Sequence, residues 1–210
     1  MQKGDIHALT GASTIGAPAI GEGPATCRRC TLWKNATQAV LGEGGPHPKI
    51  MLVGEQPGNE EDLSGHPFVG PAGRLLDDAV GQAGLNRAEL FVTNAVKHFK
   101  WEPRGKRRLH KKPAVGEINA CHIWLAQEIA SERPAVILAL GATALRALTG
   151  KSLSIESARR TTLHYGADIR VLATYHPSAI LRAQGERVDA LRSLLIRDLK
   201  TAAKIAARAA

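Results

Sequence analysis

The sequence predicts an α/β fold, a three-layer α/β/α sandwich around a central, mainly parallel four-stranded sheet. Short apolar runs alternate along the chain with longer segments whose apolar residues recur at helical spacing. This alternation is typical of a parallel sheet covered by helices on both faces. With 210 residues, 44% of them hydrophobic and 22% charged, the chain suits one globular domain with its own core.

Four short apolar runs are the predicted strands. The first carries Ile-Met-Leu-Val between Pro48 and a turn rich in Gly and Pro, and such an uninterrupted run is typical of a buried parallel strand. The predicted strands span residues 49–54, 90–93, 135–140 and 171–174.

Four amphipathic segments are the predicted helices. The first begins at Pro71 and ends at Gly84, two residues favoured at those helix positions. The predicted helices span residues 71–84, 117–131, 142–148 and 188–206. Residues 1–25 are rich in Gly, Ala and Pro and are predicted to form a flexible arm, whereas residues 26–210 show neither repeat nor boundary and are predicted to form a single domain.

The charge of the chain points to an anionic partner. There are 28 basic and 19 acidic residues, a net charge of +9. Much of this excess lies in residues 97–112, which contain eight Lys or Arg and only one acid, Glu102. The stretch is either a phosphate-binding device or a solvated charge run, and charge alone does not decide between them.

Composition also bounds the location of the protein. No apolar run approaches the length of a membrane span, and residues 1–25 lack the apolar segment of a signal peptide. Three cysteines cannot all pair within one chain. We therefore expect a cytoplasmic protein with reduced thiols and no membrane partner.

The cysteines predict a metal site or redox chemistry. Cys27 and Cys30 form a C-x-x-C motif flanked by arginines, and Cys121 lies on a predicted helix. A redox dithiol normally opens a helix after a strand, whereas this motif precedes every predicted strand. Three soft ligands need a fourth for a tetrahedral site, and the spacing does not distinguish zinc from an iron–sulfur cluster.

The chemically unusual segments of the chain follow the predicted strands. They are residues 54–58, residues 94–98, Gly141 and residues 175–178. Because ligands of open α/β sheets bind beyond the carboxyl ends of the strands, we expect these segments to line one site.

The order of these motifs resembles the uracil-DNA glycosylase superfamily, and its family 4 in particular. The resemblance rests on C-x-x-C, Gly-Glu-Gln-Pro-Gly, Pro-Phe-Val-Gly, Thr-Asn-Ala-Val-Lys, the later cysteine and Tyr-His-Pro-Ser, and it covers roughly residues 27–199. Family 4 enzymes hold a 4Fe–4S cluster through four cysteines. This sequence has a histidine where the third cysteine is expected, and imidazole can replace thiolate on cluster iron. The resemblance therefore implies a 4Fe–4S cluster bound by Cys27, Cys30, His98 and Cys121; alternatively, His98 is a core histidine.

The same resemblance implies a pocket for an extruded uracil. One carboxamide can satisfy both O4 and N3–H of uracil, while cytosine reverses both polarities, and the resemblance gives this task to Asn94. Phe68 would stack on the base, and His176 would stabilise negative charge on uracil O2 as the glycosidic bond breaks. Backbone amides of the turn after the first strand would assist. The expected substrate-binding residues are Gly54, Gln56, Pro57, Gly58, Phe68 and Asn94.

A further segment resembles UdgX-type proteins. The run Lys106-Arg107-Arg108-Leu109-His110 is similar to their Lys-Arg-Arg-Ile-His loop, whose histidine attacks C1′ after uracil leaves and forms a covalent protein–DNA adduct. The expected catalytic residues are thus His110, Glu55 as the carboxylate that orients it, and His176. In the alternative interpretation, His110 is one more phosphate contact and Glu55 is a capping or solvated residue. Asn59 stands where an acid is expected, and we hypothesise that its neutrality disfavours hydrolysis.

Three functions remain open on the sequence. The first is a covalent, single-turnover uracil-DNA glycosylase; the second is a turnover enzyme that releases an abasic site; the third is a zinc-bearing nucleic-acid binding module. The expected partner is uracil-containing DNA, preferably single-stranded because extrusion then needs little unpairing, and the protein is expected to be a monomer. The expected DNA-backbone contacts are Lys106, Arg107, Arg108 and Ser178.

Overall fold

The predicted apolar runs form the centre of one sheet. The computed structural model describes residues 22–209, within which eight strands occur. In chain order they are β1 (Glu43–Gly44), β2 (Ile50–Gly54), β3 (Phe91–Asn94), β4 (Trp101–Arg104), β5 (Arg107–His110), β6 (Val136–Leu140), β7 (Leu163–Tyr165) and β8 (Ile169–Thr174).

The main sheet has six strands in the order β1-β3-β2-β6-β8-β7. Its four central strands run parallel and are those predicted from sequence, while β1 and β7 pair antiparallel at the two edges. The α/β prediction is confirmed, but the sheet has six strands where four were predicted. The edge strands have only two and three residues, too few for a recognisable alternation of apolar and polar side chains.

Helices cover both faces of the sheet. In chain order they are α1 (Asn59–Ser64), α2 (Pro71–Gln82), α3 (Val115–Glu132), α4 (Ala142–Thr149), α5 (Ile155–Ala158), α6 (Pro177–Leu181) and α7 (Glu186–Arg208). Buried residues of α3 and α4 pack on one face, and those of α2 and α7 on the other. The three-layer arrangement is therefore confirmed.

Alternation along the strands divides the core into two halves. In β2, Met51 and Val53 join the cluster under α3 and α4, while Ile50 and Leu52 join the one under α2 and α7. Full burial of such side chains contributes about 1.5–3 kcal/mol each. The two faces hold the sheet rigidly and so fix the carboxyl ends of its strands.

The basic loop expected after the second strand is a β-hairpin. Strands β4 and β5 pair antiparallel, with Arg104 opposite Arg107 and Trp101 opposite His110. The two-residue turn begins with Gly105 at φ 59°, a conformation that glycine adopts without steric strain. This hairpin, residues 101–110, carries His110 at its last position.

The N-terminal arm predicted over residues 1–25 lies mostly outside the described residues. The described part of it includes a 3-10 turn at Pro24–Thr26, so regular structure begins before the expected domain boundary at residue 26. Among residues 22–209, no helix combines the length and the apolar character that a membrane crossing requires.

Candidate active site

The carboxyl ends of the four parallel strands meet at one edge of the sheet. Gly54 pairs with Asn94 at the ends of β2 and β3, and Leu140 pairs with Thr174 at the ends of β6 and β8. The four segments expected from sequence to share a site therefore emerge side by side.

Asn94 is a buried residue with an unpaired acceptor. It is 2% exposed, and its Oδ1 has no hydrogen-bond partner among the described residues. An added Cβ at Gly54 would lie 2.3 Å from this oxygen and 2.5 Å from Phe68 Cζ. Only glycine at position 54 lets the carboxamide and the aromatic ring approach the strand so closely.

Phe68 is held in a strained backbone conformation. Its φ is 59°, a left-handed value that costs a non-glycine residue about 1–3 kcal/mol and is concentrated at functional sites. Gly73 of α2 makes the geometry possible, because a Cβ there would lie 1.7 Å from the Phe68 carbonyl oxygen. The ring, 7% exposed, lies 6.0 Å from that of His176, centroid to centroid. The expected aromatic and histidine groups are thus neighbours.

His176 presents a neutral imidazole. Its Nδ1 accepts the Ser178 N–H at 3.1 Å and lies 2.8 Å from Ser178 Oγ. Because Nδ1 is the acceptor, the ring proton resides on Nε2. Burial, followed by the charge of Arg182 and that of His110 when it is protonated, lowers the pKa of His176 to about 4. His176 is therefore a neutral donor at pH 7.

Ser178, at the start of α6, and the Gly58 amide, in the turn after β2, both make contacts inside the protein. Ser178, expected to contact the DNA backbone, directs its hydroxyl and its N–H to His176 and so orients the ring. The Gly58 N–H, expected to stabilise uracil O2, donates to Glu61 Oε2 at 2.9 Å, and Pro57 has no N–H. Of this turn, the Gly58 amide is thus committed internally and position 57 offers none.

Glu55 and His110 face each other beside the carboxyl ends of the strands. His110 Nε2 lies 3.6 Å from Glu55 Oε1, close enough for an ion pair but too long for a hydrogen bond. The second carboxylate oxygen of Glu55 accepts from the Thr143 hydroxyl at the start of α4. Burial, partly offset by the Glu55 charge, lowers the pKa of His110 below its usual range. The imidazole is therefore mostly unprotonated at pH 7.

Gln56 supports the hairpin. Its Nε2 donates to the carbonyls of Lys100 at 3.2 Å and Lys111 at 3.0 Å, and its Oε1 accepts from the Lys100 N–H at 3.1 Å. Both ends of the carboxamide are thus occupied by the residues that flank the hairpin. The predicted substrate-binding role of Gln56 stays a prediction, and in this structure its side chain is engaged with the hairpin.

Arg108, an expected DNA-backbone contact, is instead an internal anchor. Its Nη1 lies 2.6 Å from Oδ2 of Asp62, whose side chain is fully buried, and its Nε donates to Asn59 Oδ1 at 2.7 Å. The guanidinium also lies 5.4 Å from the ring centroids of Phe99 and Trp101. Arg108 therefore fastens the hairpin to α1, and Asn59 contributes a neutral acceptor to that contact.

The basic stretch divides into internal and free cations. Four of its eight cations pair with acids of this chain: Lys97 with Glu128, Lys100 with Glu117, Arg108 with Asp62 and Lys111 with Glu102. The other four are exposed and make no ion pair within residues 22–209: Arg104, Lys106, Arg107 and Lys112. The phosphate-binding interpretation thus applies to only half of the eight cations. The four exposed residues Arg104, Lys106, Arg107 and Lys112 are called the tip cations.

The three thiols lie in one region of the core. Cys27 and Cys121 belong to the cluster under α3 and α4, and Cys30 packs against it. The Lys97 backbone N–H points at Cys121 Sγ, 3.2 Å away. Burial raises the pKa of the Cys121 thiol to about 12, and the nearby Cys30 and Cys27 add to this rise.

His98, the expected fourth ligand, is buried at 6% exposure. Burial lowers its pKa, and the charge of Arg28, which lies between Cys27 and Cys30 in the sequence, lowers it further. Across residues 22–209, no three or more His, Cys, Asp or Glu side chains are arranged to hold a metal ion. The expected ligand set is therefore not assembled around one point in this structure.

Several supporting residues were missed from the sequence. Thr143 could have been found, because it follows β6 at the same sheet edge as the other motifs. Glu61 accepts from Gly58 N and from Gly70 N, and its position three residues after Gly58 is a capping signal. Asp62 had no local signal, since its partners Thr37 and Arg108 are distant in sequence.

Comparison with known proteins gives a consistent result. Residues 41–200 match the family described as the Uracil DNA glycosylase superfamily. The chain is 37% identical over 184 residues to a Type-4 uracil-DNA glycosylase of Thermotoga maritima, covering 87% of this chain and 91% of that protein. It is 40% identical over 163 residues to a Type-4 uracil-DNA glycosylase of Saccharolobus solfataricus, covering 74% and 72%.

A Type-5 uracil-DNA glycosylase of Pyrobaculum aerophilum is more distant, with 28% identity over 173 residues. The matched region of the family includes the strands, the turn after β2, the hairpin and the His176 segment. A buried carboxamide with an open acceptor, an adjacent aromatic ring and a neutral histidine at one sheet edge agree with that match. The chain belongs to the uracil-DNA glycosylase superfamily.

Proposed function

We propose that this protein excises uracil from DNA and that His110 then bonds to C1′ of the resulting abasic site. The observation that carries the second step is the approach of His110 to Glu55 on a hairpin fastened over the cleft. The proposal has three chemical parts, which are reading the base, stabilising its departure and capturing the sugar.

Asn94 reads the base in this proposal. Its unpaired Oδ1 is the acceptor that uracil N3–H requires, and the amide of the same side chain can donate to O4. Cytosine would place an acceptor against that oxygen and leave buried groups unpaired, which rejects it strongly. Phe68 supplies the apolar face on which the extruded base stacks.

His176 stabilises the departing base. As the bond to C1′ breaks, electrons move onto uracil and negative charge develops at O2. The Nε2–H of a neutral imidazole is a preorganised donor for that charge, and each such donor is typically worth about 3–4 kcal/mol of barrier. The Ser178 contacts support this role because they fix both the ring orientation and the tautomer.

His110 captures the sugar. One ring nitrogen donates its lone pair to the C1′ cation, and the proton on the other nitrogen passes to Glu55, so the product is a neutral N-linked adduct. The lowered pKa of His110 keeps the lone pair available at pH 7. A tethered imidazole has an effective concentration far above that of the solvent water with which it competes.

The second candidate is a turnover glycosylase that adds water to the sugar cation and releases an abasic site. The similarity to proteins named Type-4 uracil-DNA glycosylases favours it. In that reaction Glu55, oriented by Thr143, would accept a proton from water instead of from His110.

We further propose that Cys27, Cys30, Cys121 and His98 hold a 4Fe–4S cluster. Support comes from the three thiols in one core region and from the backbone N–H directed at Cys121 Sγ, a contact that stabilises thiolate ligands. When bound, the cluster would brace the segment around residue 27 against α3. Iron and sulfide analysis of the purified protein, with broad visible absorbance, tests this assignment.

Single-stranded DNA is the proposed substrate form, bound by a monomer. The tip cations Arg104, Lys106 and Arg107 surround the hairpin turn, where they can reach phosphates beside the cleft. Measuring uracil release from single strands and from duplexes of equal sequence tests the preference.

A denaturing gel separates the two candidate functions. Wild-type protein incubated with a uracil-containing single strand should release free uracil and give a slowly migrating protein–DNA band. His110→Ser should lose the band and still release uracil. Released uracil without any band would leave the turnover enzyme, and a band that persists in His110→Ser would refute the nucleophile assignment. No release of uracil by the wild type would refute both.

A further inference from the structure

We propose that Lys97, paired with Glu128, is a positioning residue for Asn94 and ties the base pocket to the cysteine region. This inference rests on the proposed role of Asn94 in reading uracil. Lys97 is fully buried, and its Nζ contacts Glu128 Oε2 at 2.6 Å, Thr93 Oγ1 at 2.7 Å and the Asn94 carbonyl oxygen at 2.8 Å.

The end of β3 lacks a strand on one side. Strand β1 pairs with Phe91 and Val92 and stops there, so within the described part of the chain Thr93 and Asn94 have no ladder partner on that side. The ammonium of Lys97 and the carboxylate of Glu128 take its place: Nζ binds the Asn94 carbonyl, and Glu128 Oε2 accepts from the Thr93 hydroxyl at 2.8 Å. Glu128 Oε1 also accepts from the Gly42 N–H beside β1, at 2.9 Å.

The other side of Asn94 is fixed by β2. Gly54 pairs with Asn94, and the Ala95 N–H donates to the Gly54 carbonyl at 2.9 Å. The Lys97 ammonium therefore makes the contact that holds the residue from its open side. A carboxamide that must match uracil to a fraction of an ångström depends on that backbone, since a displacement of 1 Å can reduce a rate on the order of 100-fold.

Lys97 also contacts the cysteine region through its main chain. Its N–H points at Cys121 Sγ, and its carbonyl accepts from the Val40 N–H at 2.8 Å. One residue thus joins a thiol, proposed above as a cluster ligand, to the base-reading residue. A buried ion pair is a poor source of stability compared with apolar packing. The geometry indicates that the Lys97–Glu128 pair positions the end of β3, because three of its contacts converge on Thr93 and Asn94.

Two variants and a matched control test this role. Lys97→Met removes the ammonium and leaves Glu128 buried without its cation, so it is expected to destabilise the fold. The double variant Lys97→Met with Glu128→Gln removes both charges, keeps the peptide N–H near Cys121 and leaves an amide that can still contact Thr93 and Gly42. The control is Arg159→Met with Asp198→Asn, which neutralises another mostly buried ion pair between the end of α5 and α7.

The expected result separates positioning from stability. The double variant should regain the melting temperature lost by Lys97→Met, retain its affinity for DNA, and excise uracil on the order of 100-fold more slowly under single-turnover conditions at saturating DNA. The control should keep the wild-type rate. Recovery of both stability and rate in the double variant would overturn the proposal, since the pair would then serve the fold alone.

A crystal structure of the double variant provides a test that does not depend on catalysis. The Asn94 carbonyl and carboxamide should be displaced relative to Gly54, while the Lys97 N–H stays directed at Cys121. An unchanged Asn94 would refute the positioning role, even if the wild type proved to excise uracil. A displaced Asn94 in a protein whose wild type releases no uracil would refute the proposed function and leave the positioning role supported.

Discussion

At the scale of single residues, the site depends on two polar groups, the buried Asn94 and the partly buried His176, each of which keeps one atom available. Asn94 Oδ1 has no partner within residues 22–209, and His176 uses Nδ1 internally and leaves Nε2–H available. An unpaired buried group costs about 1–3 kcal/mol in the free protein. A ligand that satisfies it removes that cost, so the same atoms supply both affinity and selectivity.

Substitution of Gly54 by alanine should disable the pocket. The added methyl would lie 2.3 Å from Asn94 Oδ1 and 2.5 Å from the Phe68 ring, so both groups must shift. We expect single-turnover uracil excision to fall on the order of 100-fold. Gly116→Ala in α3 is the control, because its added Cβ would meet no atom of residues 22–209 within 4 Å. It should keep the rate and raise stability by up to about 1 kcal/mol.

The depressed pKa of His176 predicts acid sensitivity. Its folded pKa is about 4, against 6.5 in the unfolded chain, so between these values the unfolded state binds a proton that the native state does not. The free energy of unfolding should therefore fall as the pH drops from 6.5 towards 4, by on the order of 1.4 kcal/mol per pH unit for this group. Urea unfolding at pH 7, 6 and 5 measures this slope. His176→Gln should reduce it, and an equal slope in the variant would contradict the assignment.

At the scale of elements, the hairpin and the turn after β2 behave as one unit. Gln56 holds both ends of the hairpin, and Arg108 fastens its second strand to α1. These contacts also position His110, which lies at the end of that strand. Glu55 precedes Gln56, so the carboxylate that faces His110 is carried by the same turn.

Neighbouring arginines of the hairpin should respond differently to truncation. Arg108→Ala leaves the buried carboxylate of Asp62 without its cation and should lower the free energy of unfolding by about 3–5 kcal/mol. Arg107→Ala removes an exposed side chain without an ion-pair partner among the described residues and should change it by less than about 0.5 kcal/mol. Urea unfolding of the two variants checks the contrast, and equal effects would contradict the anchor role of Arg108.

The sequence predicted the elements whose signals are local. Apolar runs located the four central strands, and helical spacing located α2, α3, α4 and α7 to within a few residues. The hairpin was expected only as a loop, because its strands contain Pro103 and mostly charged residues and show no apolar alternation. Its order comes from Gln56 and Asp62, which lie at least 44 residues away from their hairpin-side partners, and no local pattern reveals such contacts.

The same limit applied to the site. Asn94, Phe68 and His176 follow or precede recognisable turns and strands, and the motif order was enough to place them together. The internal partners of Arg108, Ser178 and Lys97 were not predicted, because charge and polarity do not reveal whether a side chain points to solvent or to a partner. Burial and partner decide this, and both are properties of the folded chain.

At the scale of the whole molecule, the net charge overstates the number of cations that are available to bind DNA phosphates. Half of the cations in residues 97–112 are neutralised within the protein. If the four tip cations each contact one phosphate of a single strand, they contribute roughly −3 to the slope of log K against log salt, at about −0.7 per contact. Counting all eight cations would give roughly −6.

Replacing all four tip cations together should show how much of the salt dependence of DNA binding they carry. A variant with Gln at positions 104, 106, 107 and 112 should bind single-stranded DNA with a salt slope lower by roughly 3, because four counterion-releasing contacts are lost. Lys97→Met, which removes a fully buried cation, should leave the slope unchanged. Fluorescence anisotropy over a salt titration measures both, and a lower slope for Lys97→Met would place that cation at the DNA surface.

The Gln56 contact also has a kinetic consequence. Swinging the hairpin away from the turn after β2 would break three hydrogen bonds at Lys100 and Lys111, each worth about 0.5–1.5 kcal/mol net because the freed groups would then meet water. In the proposed capture step, the imidazole would therefore already be in place when the base departs. Capture should then be as fast as bond formation itself allows and insensitive to solvent viscosity, so an intermediate sugar would have no interval in which to diffuse out.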